Sequence, residues 1–540
     1  MMSELTGSDM LIQSLAHEGV EVIFGLPGEQ IMEMLDSVAR QKDVRWISVR
    51  QEQTAAYMAF GYARTTGKIG VALVVPGPGV LNTAAAIGTA YATSTPVLLI
   101  SGQVGTNDLD KGGGATHEVA RQMEVFRPLT KWCYCVRQVN EIPWAVRKAM
   151  CELKSGRQRP VELEIPRDML QAFGQMDDSK VPEAVPVAKP EKGQIDNAAS
   201  LLANAKKPVI WAGGGVISSD ATRELTLVAE RLNAPVITTP EGKGAIPGDH
   251  PLLLGVFYSG YGPVPWTFPQ ADVILAVGSR LYSTPKAPIS FREDQKLIHI
   301  NVDSAEIGRN HDTHLGIVSD ARNALELLLE ALPEKSKSTW KSEDVAEIQG
   351  KARKQLEDVA PLQLSLVRII REELKADDIL IPGVSNVPYW GHLSYPVLKP
   401  RTYLNSSYFA TLGYAFPTAL GAKVGNPDKR VVSLCGDGGF MYCLSDLATA
   451  VQERINIVAI VFVDNAYGAS IRDQHLRFES RVIGTELKNP DFANVARTFG
   501  AEGIKLTNPE ELRGALRTAL EKDVTTVIEV PLPTMQTPFW

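Results

Sequence analysis

The stretch Arg430-Val431-Val432-Ser433-Leu434-Cys435-Gly436-Asp437-Gly438-Gly439 decides the fold. Arg430 to Cys435 is a short apolar run of the buried-strand type, and Asn456 to Val463 is a second. Between them Leu444, Leu447, Ala448 and Val451 recur at helical spacing, which predicts a helix from about Met441 to Glu453 and a βαβ unit with parallel strands. Such crossovers are right-handed, so the loops after both strands lie at the same sheet edge, where ligands of open α/β sheets bind. Asp437 and Asn465, the latter in Phe462-Val463-Asp464-Asn465, are thereby brought together. Gly438 and Gly439 open the intervening helix, whose free N–H groups favour an anion such as phosphate. A carboxylate, an amide oxygen and phosphate oxygens are the hard ligands that Mg²⁺ selects. Alone, Gly436-Asp437-Gly438 is a tight turn; between these elements it reads as a divalent metal and diphosphate site.

The remaining chain fits an enzyme of several α/β domains. Its 540 residues allow about three to four domains. The 55 basic and 62 acidic residues give a net charge of −7, which argues against nucleic acid as a partner. No apolar run approaches the roughly 20 residues that span a bilayer, and Met1 to Asp9 lacks a signal-peptide layout, so cytoplasm is expected and a membrane is not. Five cysteines form no disulfide framework, and Cys133-Tyr134-Cys135 has the wrong spacing for a zinc knuckle. Composition shifts at 173–193, rich in Gly, Pro and Asp, and at 334–354, charged and partly helical, divide the chain into 1–172, 194–333 and 355–540. Each part alternates strands with helices, for example Val20 to Gly25 and Val71 to Val75 in the first and Pro208 to Ala212 and Val273 to Val277 in the second. The fold class is therefore α/β, with three doubly wound parallel-sheet domains.

Gly-Asp-Gly followed by Asn at this distance resembles the signature of thiamine diphosphate (TPP) enzymes. The resemblance covers essentially the whole chain and is greatest to the acetolactate synthase, benzoylformate decarboxylase and pyruvate oxidase group. It implies the order of a pyrimidine-binding domain, a central Rossmann-like domain and a diphosphate-binding domain. It also implies thiamine diphosphate and Mg²⁺ as cofactors, with Asp437, the Asn465 side chain and the Tyr467 carbonyl as metal ligands and Gly436, Gly438 and Gly439 beside the diphosphate. The usual pattern has two consecutive Asn residues; here the first is Asp464.

Glu52, in Val49-Arg50-Gln51-Glu52-Gln53-Thr54, stands where a strand gives way to a helix. From position alone it is a first-turn acid favoured by the helix dipole. By resemblance it is the Glu that bonds N1′ of the aminopyrimidine and promotes loss of the proton from thiazolium C2, with Gln51 where a His is common. Gly25-Leu26-Pro27-Gly28-Glu29 and Pro76-Gly77-Pro78-Gly79-Val80-Leu81-Asn82 are turn sequences first. The family places both loops on the cofactor, through Pro27, Gly28 and Asn82, although Asn82 reads equally as a helix cap. Ser407 to Gly413 resembles the segment that grips the aminopyrimidine, with the Ala410 and Leu412 backbone bonding the ring and the Leu412 side chain propping the bent cofactor. Related sequences tend to carry Gly at Ala410 and Ala415. Asn386, in Gly383-Val384-Ser385-Asn386, falls in the loop that meets the diphosphate.

The resemblance leaves FAD in the central domain open, around Gly213-Gly214-Gly215 and Gly278-Ser279-Arg280. At the substrate end, Thr116-His117 replaces the expected Phe-Gln, and the Trp that selects a second 2-oxo acid is missing after Tyr467-Gly468, whereas Lys131 keeps a synthase-like context. His117 is the candidate for proton transfer to an intermediate, level with a solvated loop histidine. Arg472 reads equally as a partner for a substrate carboxylate and as a surface ion pair. The implied reaction is acetolactate synthase-like: decarboxylation of a 2-oxo acid or related small carbonyl compound, with carboligation. The alternatives are a non-ligating decarboxylase, a 2-hydroxy ketone lyase and a non-catalytic regulatory subunit. With Glu52 on the first domain and the metal ligands on the third, the family shares each site between two subunits of a homodimer or homotetramer.

Overall fold

The protein is described by a computed structural model covering residues 4–176, 189–284 and 288–538. Residues 177–188 of the expected linker lie outside the described residues. Three wholly parallel sheets form the frame. The first runs, in spatial order, Arg45–Ser48, Val22–Gly25, Gly70–Val74, Val97–Gln103, Val161–Pro166, Trp132–Cys135. The second runs Leu253–Val256, Val236–Thr238, Pro208–Ala212, Val273–Val277, Lys296–Asn301, Leu315–Val318. The third runs Ile379–Pro382, Val431–Gly436, Val458–Val463, Thr526–Pro531, Glu502–Lys505. Central strands such as Gly70–Val74 and Pro208–Ala212 are buried at every residue, because helices cover both faces; hence their unbroken apolar runs. A short antiparallel pair, Leu5–Thr6 with Phe173–Gly174, ties the start of the first domain to its end.

The two strands that carry the metal motif are neighbours, with Gly436 opposite Phe462. Their connection is not the single helix expected from Met441 to Glu453. It consists of one turn at Asp437–Phe440, a 3₁₀ turn at Leu444–Asp446 and a helix at Leu447–Gln452. The interruption has a tertiary cause. Asp446, fully buried, accepts hydrogen bonds from the Arg50 N–H and the Thr54 and Thr449 hydroxyls, so this turn is shaped by the first domain.

First and third domains share a core through the helices Glu52–Thr66 and Ala415–Gly425, which bury Tyr57, Phe60 and Phe416 together. Their backbones touch at two glycines. A methyl on Gly61 would stand 2.0 Å from the Thr418 carbonyl oxygen, and one on Gly421 would stand 1.9 Å from that of Met58. Only glycine permits that approach. The segment 334–354 contributes most of the helix Ser342–Glu357, whose Val345 and Ile348 pack with Trp211 and Ile274 under the central sheet.

One buried acid in the first sheet has no counterpart in the site. Glu162 is 0 % exposed and neither carboxyl oxygen has a hydrogen-bond partner among the described residues. Burial, reinforced by neighbouring Glu164, pushes its pKa well above 4.5. The unfolded chain therefore gives up this proton near pH 4.5 while the folded chain keeps it, so stability falls as pH rises above that value. Glu162→Gln is expected to raise the apparent melting midpoint at pH 8 and to leave it nearly unchanged at pH 4.5. Equal effects at both pH values would contradict a neutral, buried Glu162.

Candidate active site

At the third sheet the strand Val431–Gly436 ends on Asp437, which is 2 % exposed. One carboxylate oxygen accepts from the Gly438 N–H at 2.7 Å. The other accepts from the Asn465 N–H and from the Asn489 side-chain amide, each at 2.8 Å. The Asn489 amide also reaches the Asn465 side-chain oxygen at 3.3 Å. Burial pushes the Asp437 carboxyl above its ordinary range, while these donors favour its charged form. Asp464 is raised to about 6 by burial and by the Asp437 charge.

Tyr467 covers this corner, its ring 2.7 Å from where a methyl on Gly438 would sit. Its carbonyl accepts from the Ser470 and Ile471 N–H groups and points down the helix Gly468–Arg477, so its lone pairs are already committed. Asp437 and Asn465 present hard oxygen donors that suit Mg²⁺. No group of three His, Cys, Asp or Glu suited to a metal occurs among the described residues, so phosphate oxygens would have to complete the coordination. A donor for such an anion is at hand: the Ser385 hydroxyl is buried without a partner among the described residues, and its Cβ lies 2.7 Å from where a methyl on Gly436 would sit. A cleft of about 10 Å³, room for roughly one water, opens between Gly383, Gly413, Gly436 and Gly439. The Leu412 side chain approaches the Gly439 methyl position at 4.0 Å.

Asn386, beside Ser385, is turned away from this corner. Its amide donates to the carbonyls of Met535 and Gln536 and its oxygen accepts from Gln363. Ala410 has φ 47°, a left-handed conformation that glycine adopts without strain. Asn465 at φ 54° and His117 at φ 66° share it, so three of the candidate site residues sit in sparsely populated backbone regions.

In the first domain Glu52 begins the helix Glu52–Thr66, which Gln51 caps by accepting from the Thr54 N–H. This gives Gln51 a local role that sequence reading missed. Glu52 is half-buried; one oxygen accepts from the Asn82 amide at 2.9 Å and the other lies 3.7 Å from the Gly79 methyl position. Asn82 closes the turn Pro78–Asn82, and the next helix has Thr83 at its cap without a side-chain bond, so Asn82 is a partner of Glu52 and not a cap. Gly28 packs on Val75, with a methyl there 2.3 Å from a Val75 methyl, so Gly28, Pro27 beside it in the chain and Gly79 line the same side of this domain. The half-buried His117 ring is bonded through Nδ1 to the Gln30 side-chain oxygen at 3.0 Å, and its carbonyl abuts Gly77. Among the described residues neither Glu52 nor Asn82 hydrogen bonds to the Asp437 group. The two groups sit on domains that share a core.

Two candidates of the substrate end acquire structural partners. Lys131 donates to the Glu152 and Ser155 carbonyls at the end of the helix Ile142–Lys154. Arg472 donates through Nη2 to the Gln536 side-chain oxygen, while its Nη1 is buried and unpaired among the described residues. In the central domain the N–H groups of Gly213 and Gly215 are consumed by the Val277 and Gly278 carbonyls. A methyl on Gly213 would stand 2.3 Å from the Gly278 oxygen, so Gly213 serves close packing of this turn against Gly278. All five cysteines are free; burial pushes Cys135 up to about 12, as suits an inert packing residue.

Comparison with known proteins agrees with the three-sheet architecture. Family profiles described as thiamine pyrophosphate enzyme N-terminal TPP binding, central and C-terminal TPP binding domains match residues 5–125, 195–328 and 383–530. A probable acetolactate synthase large subunit of Methanocaldococcus jannaschii is 34% identical, over 96% of this chain and 90% of its own length. The acetolactate synthase large subunit of Haemophilus influenzae is 34% identical, over 96% and 92%. A probable 2-ketoarginine decarboxylase of Pseudomonas aeruginosa is 33% identical, over 97% and 94%.

Proposed function

Since the chain belongs to the thiamine pyrophosphate enzymes and is of the acetolactate synthase type, we propose that it decarboxylates a 2-oxo acid and ligates the remaining carbonyl fragment, using thiamine diphosphate and Mg²⁺. The observation that carries this reading is the junction of Asp437 and Asn465, 28 residues apart, at one sheet edge beside the Gly438 turn. When bound, thiamine diphosphate supplies the electron sink through which a 2-oxo acid loses CO₂.

In this reading Asp437 and Asn465 hold the cation; the Tyr467 carbonyl, expected as a third ligand, would have to give up its bond to the Ser470 or Ile471 N–H to join them. The Gly439 N–H and the Ser385 hydroxyl would serve the diphosphate, while the Gly438 N–H, held by the Asp437 carboxylate, and Gly436 shape the turn beside it. Leu412 and the Ala410 backbone support the aminopyrimidine, and Asn386 acts at one remove by fixing the Ser385 loop. Glu52 holds a proton at aminopyrimidine N1′, with Asn82 orienting its carboxylate, and Pro27 and Gly28 shape the same wall. His117 is assigned proton transfer to the substrate fragment; Gln30 sets its ring orientation. The two half-sites support a cofactor shared between two subunits, in a homodimer or a dimer of dimers. The limits 1–172, 194–333 and 355–540 are kept as the proposed division, with Phe173–Gly174 pairing back onto Leu5–Thr6 and the helix Ser342–Glu357 packing on the central domain rather than acting as a free linker. FAD is given no step in this reading; flavin absorption of the purified protein decides whether the central domain carries it. Five free cysteines suit the reducing cytoplasm, and no helix among the described residues is long and apolar enough to cross a membrane.

A panel of 2-oxo acids, read for CO₂ and for ligated products, tests the reaction. Acetolactate from pyruvate is the expected result. CO₂ without ligation would move the protein to the second reading, a simple decarboxylase, which the Thr116-His117 departure and the decarboxylase relative favour. No turnover of any member would leave the 2-hydroxy ketone lyase and regulatory-subunit alternatives.

A further inference from the structure

The loop after Asn465 is held by a segment that no motif marks. Thr485 to Asn489 runs antiparallel to it: the Tyr467 N–H donates to the Thr485 carbonyl and the Leu487 N–H to the Asn465 carbonyl, each at 2.8 Å, with a bridge between Ala466 and Glu486. The ribbon ends on Asn489, whose amide nitrogen stands 2.8 Å from the Asp437 oxygen and 3.3 Å from the Asn465 side-chain oxygen. A primary amide is the group suited to this place, because its nitrogen carries two hydrogens and serves two acceptors at once. A hydroxyl has one hydrogen, and a carboxylate would set a second negative charge against Asp437.

We propose that Asn489 is a positioning residue for the divalent cation: it fixes the spacing and orientation of the Asp437 carboxylate and the Asn465 amide oxygen without being a ligand. The proposal rests on the reading of Asp437 and Asn465 as metal ligands and adds what holds them there. Its chemical consequence is selectivity. Mg²⁺ demands near-ideal octahedral geometry, whereas Ca²⁺ accepts looser and more variable coordination. A loss of ligand alignment therefore harms Mg²⁺ more than Ca²⁺, while a general loosening of the fold harms both alike.

The test is calorimetric titration of full-length protein with Mg²⁺ and with Ca²⁺ at fixed thiamine diphosphate, for wild type, Asn489→Leu and Asp437→Ala, with melting midpoints measured alongside. Asn489→Leu is expected to weaken Mg²⁺ by about 10- to 100-fold, the usual effect of losing an outer partner of a metal ligand, and Ca²⁺ by clearly less. Unchanged Mg²⁺ affinity, with wild type binding and Asp437→Ala failing to bind, would overturn the proposal while sparing the metal site. Equal weakening of both cations with a lowered melting midpoint would overturn it as well, leaving Asn489 a structural residue. Wild-type protein that binds neither cation, or Asp437→Ala that binds as wild type does, would remove the metal-site reading and the proposal together.

Discussion

Glu52→Gln is expected to bind thiamine diphosphate within a few-fold of wild type while proton exchange at the cofactor's C2 falls by about 10²- to 10⁴-fold, the usual contribution of a positioned acid or base. The substitution keeps the side-chain shape and can keep its contact with Asn82, since the Gln oxygen can still accept the 2.9 Å bond that the Glu oxygen takes. It removes the one property a neutral amide lacks, the capacity to gain and lose a proton. Glu52 stands in the first turn of a helix whose backbone is fixed by the Gly61 and Gly421 contacts, so the variant should fold as wild type does. Deuterium exchange followed by acid quench and proton NMR reads the effect directly. An exchange rate equal to wild type would take Glu52 out of its role and leave it a favourable first-turn acid.

Asp437→Ala is expected to lower metal-dependent cofactor affinity by at least about 100-fold, beyond what loss of an outer partner usually costs. Three donors lose their acceptor at once: the N–H groups of Gly438 and Asn465 and the Asn489 amide. Leaving buried donors unsatisfied costs about 1–3 kcal/mol each, so the loop that presents Asn465 should loosen as well. Asp437→Asn separates the two effects. It keeps one acceptor oxygen and the side-chain volume, so it should restore the melting midpoint while metal affinity stays low. Calorimetry with thiamine diphosphate and Mg²⁺ measures both variants; undiminished binding in either would contradict a ligand role for the carboxylate.

What could be read from the chain was whatever is written in neighbouring residues. Arg430 to Gly439 carries a strand, a turn and a helix start in unbroken order, and the parallel-strand rule then brings Asn465 to the same edge. The three sheets were legible for the same reason, since strands buried on both faces are continuous apolar runs. Asn489 was not legible, because its meaning depends on a ribbon folding back over 52 residues to Asp437. The broken helix after Phe440 was missed because Asp446 answers to Thr54 and Arg50 in another domain, and helical periodicity carries no trace of them. Asn82 reads evenly as a cap or a cofactor residue in the sequence, because the partner that rules out the cap, Glu52, lies 30 residues back. The Gly213 to Gly215 turn leaves FAD open in the sequence, and the bonds of the Gly213 and Gly215 N–H groups to the Val277 and Gly278 carbonyls were not legible there, because the strand Val273–Val277 lies about 60 residues away.

The central claim is that each active site takes its activating carboxylate from one chain and its metal end from another. Mixing Glu52→Gln with Asp437→Ala protein, under conditions that let subunits exchange, tests it most directly. If sites are shared, half the dimers are mixed and one of their two sites is wholly wild type, so activity should return to roughly a quarter of the wild-type value. If each site is built within one chain, every site in the mixture carries a defect, and activity no higher than that of the separate variants would contradict the account.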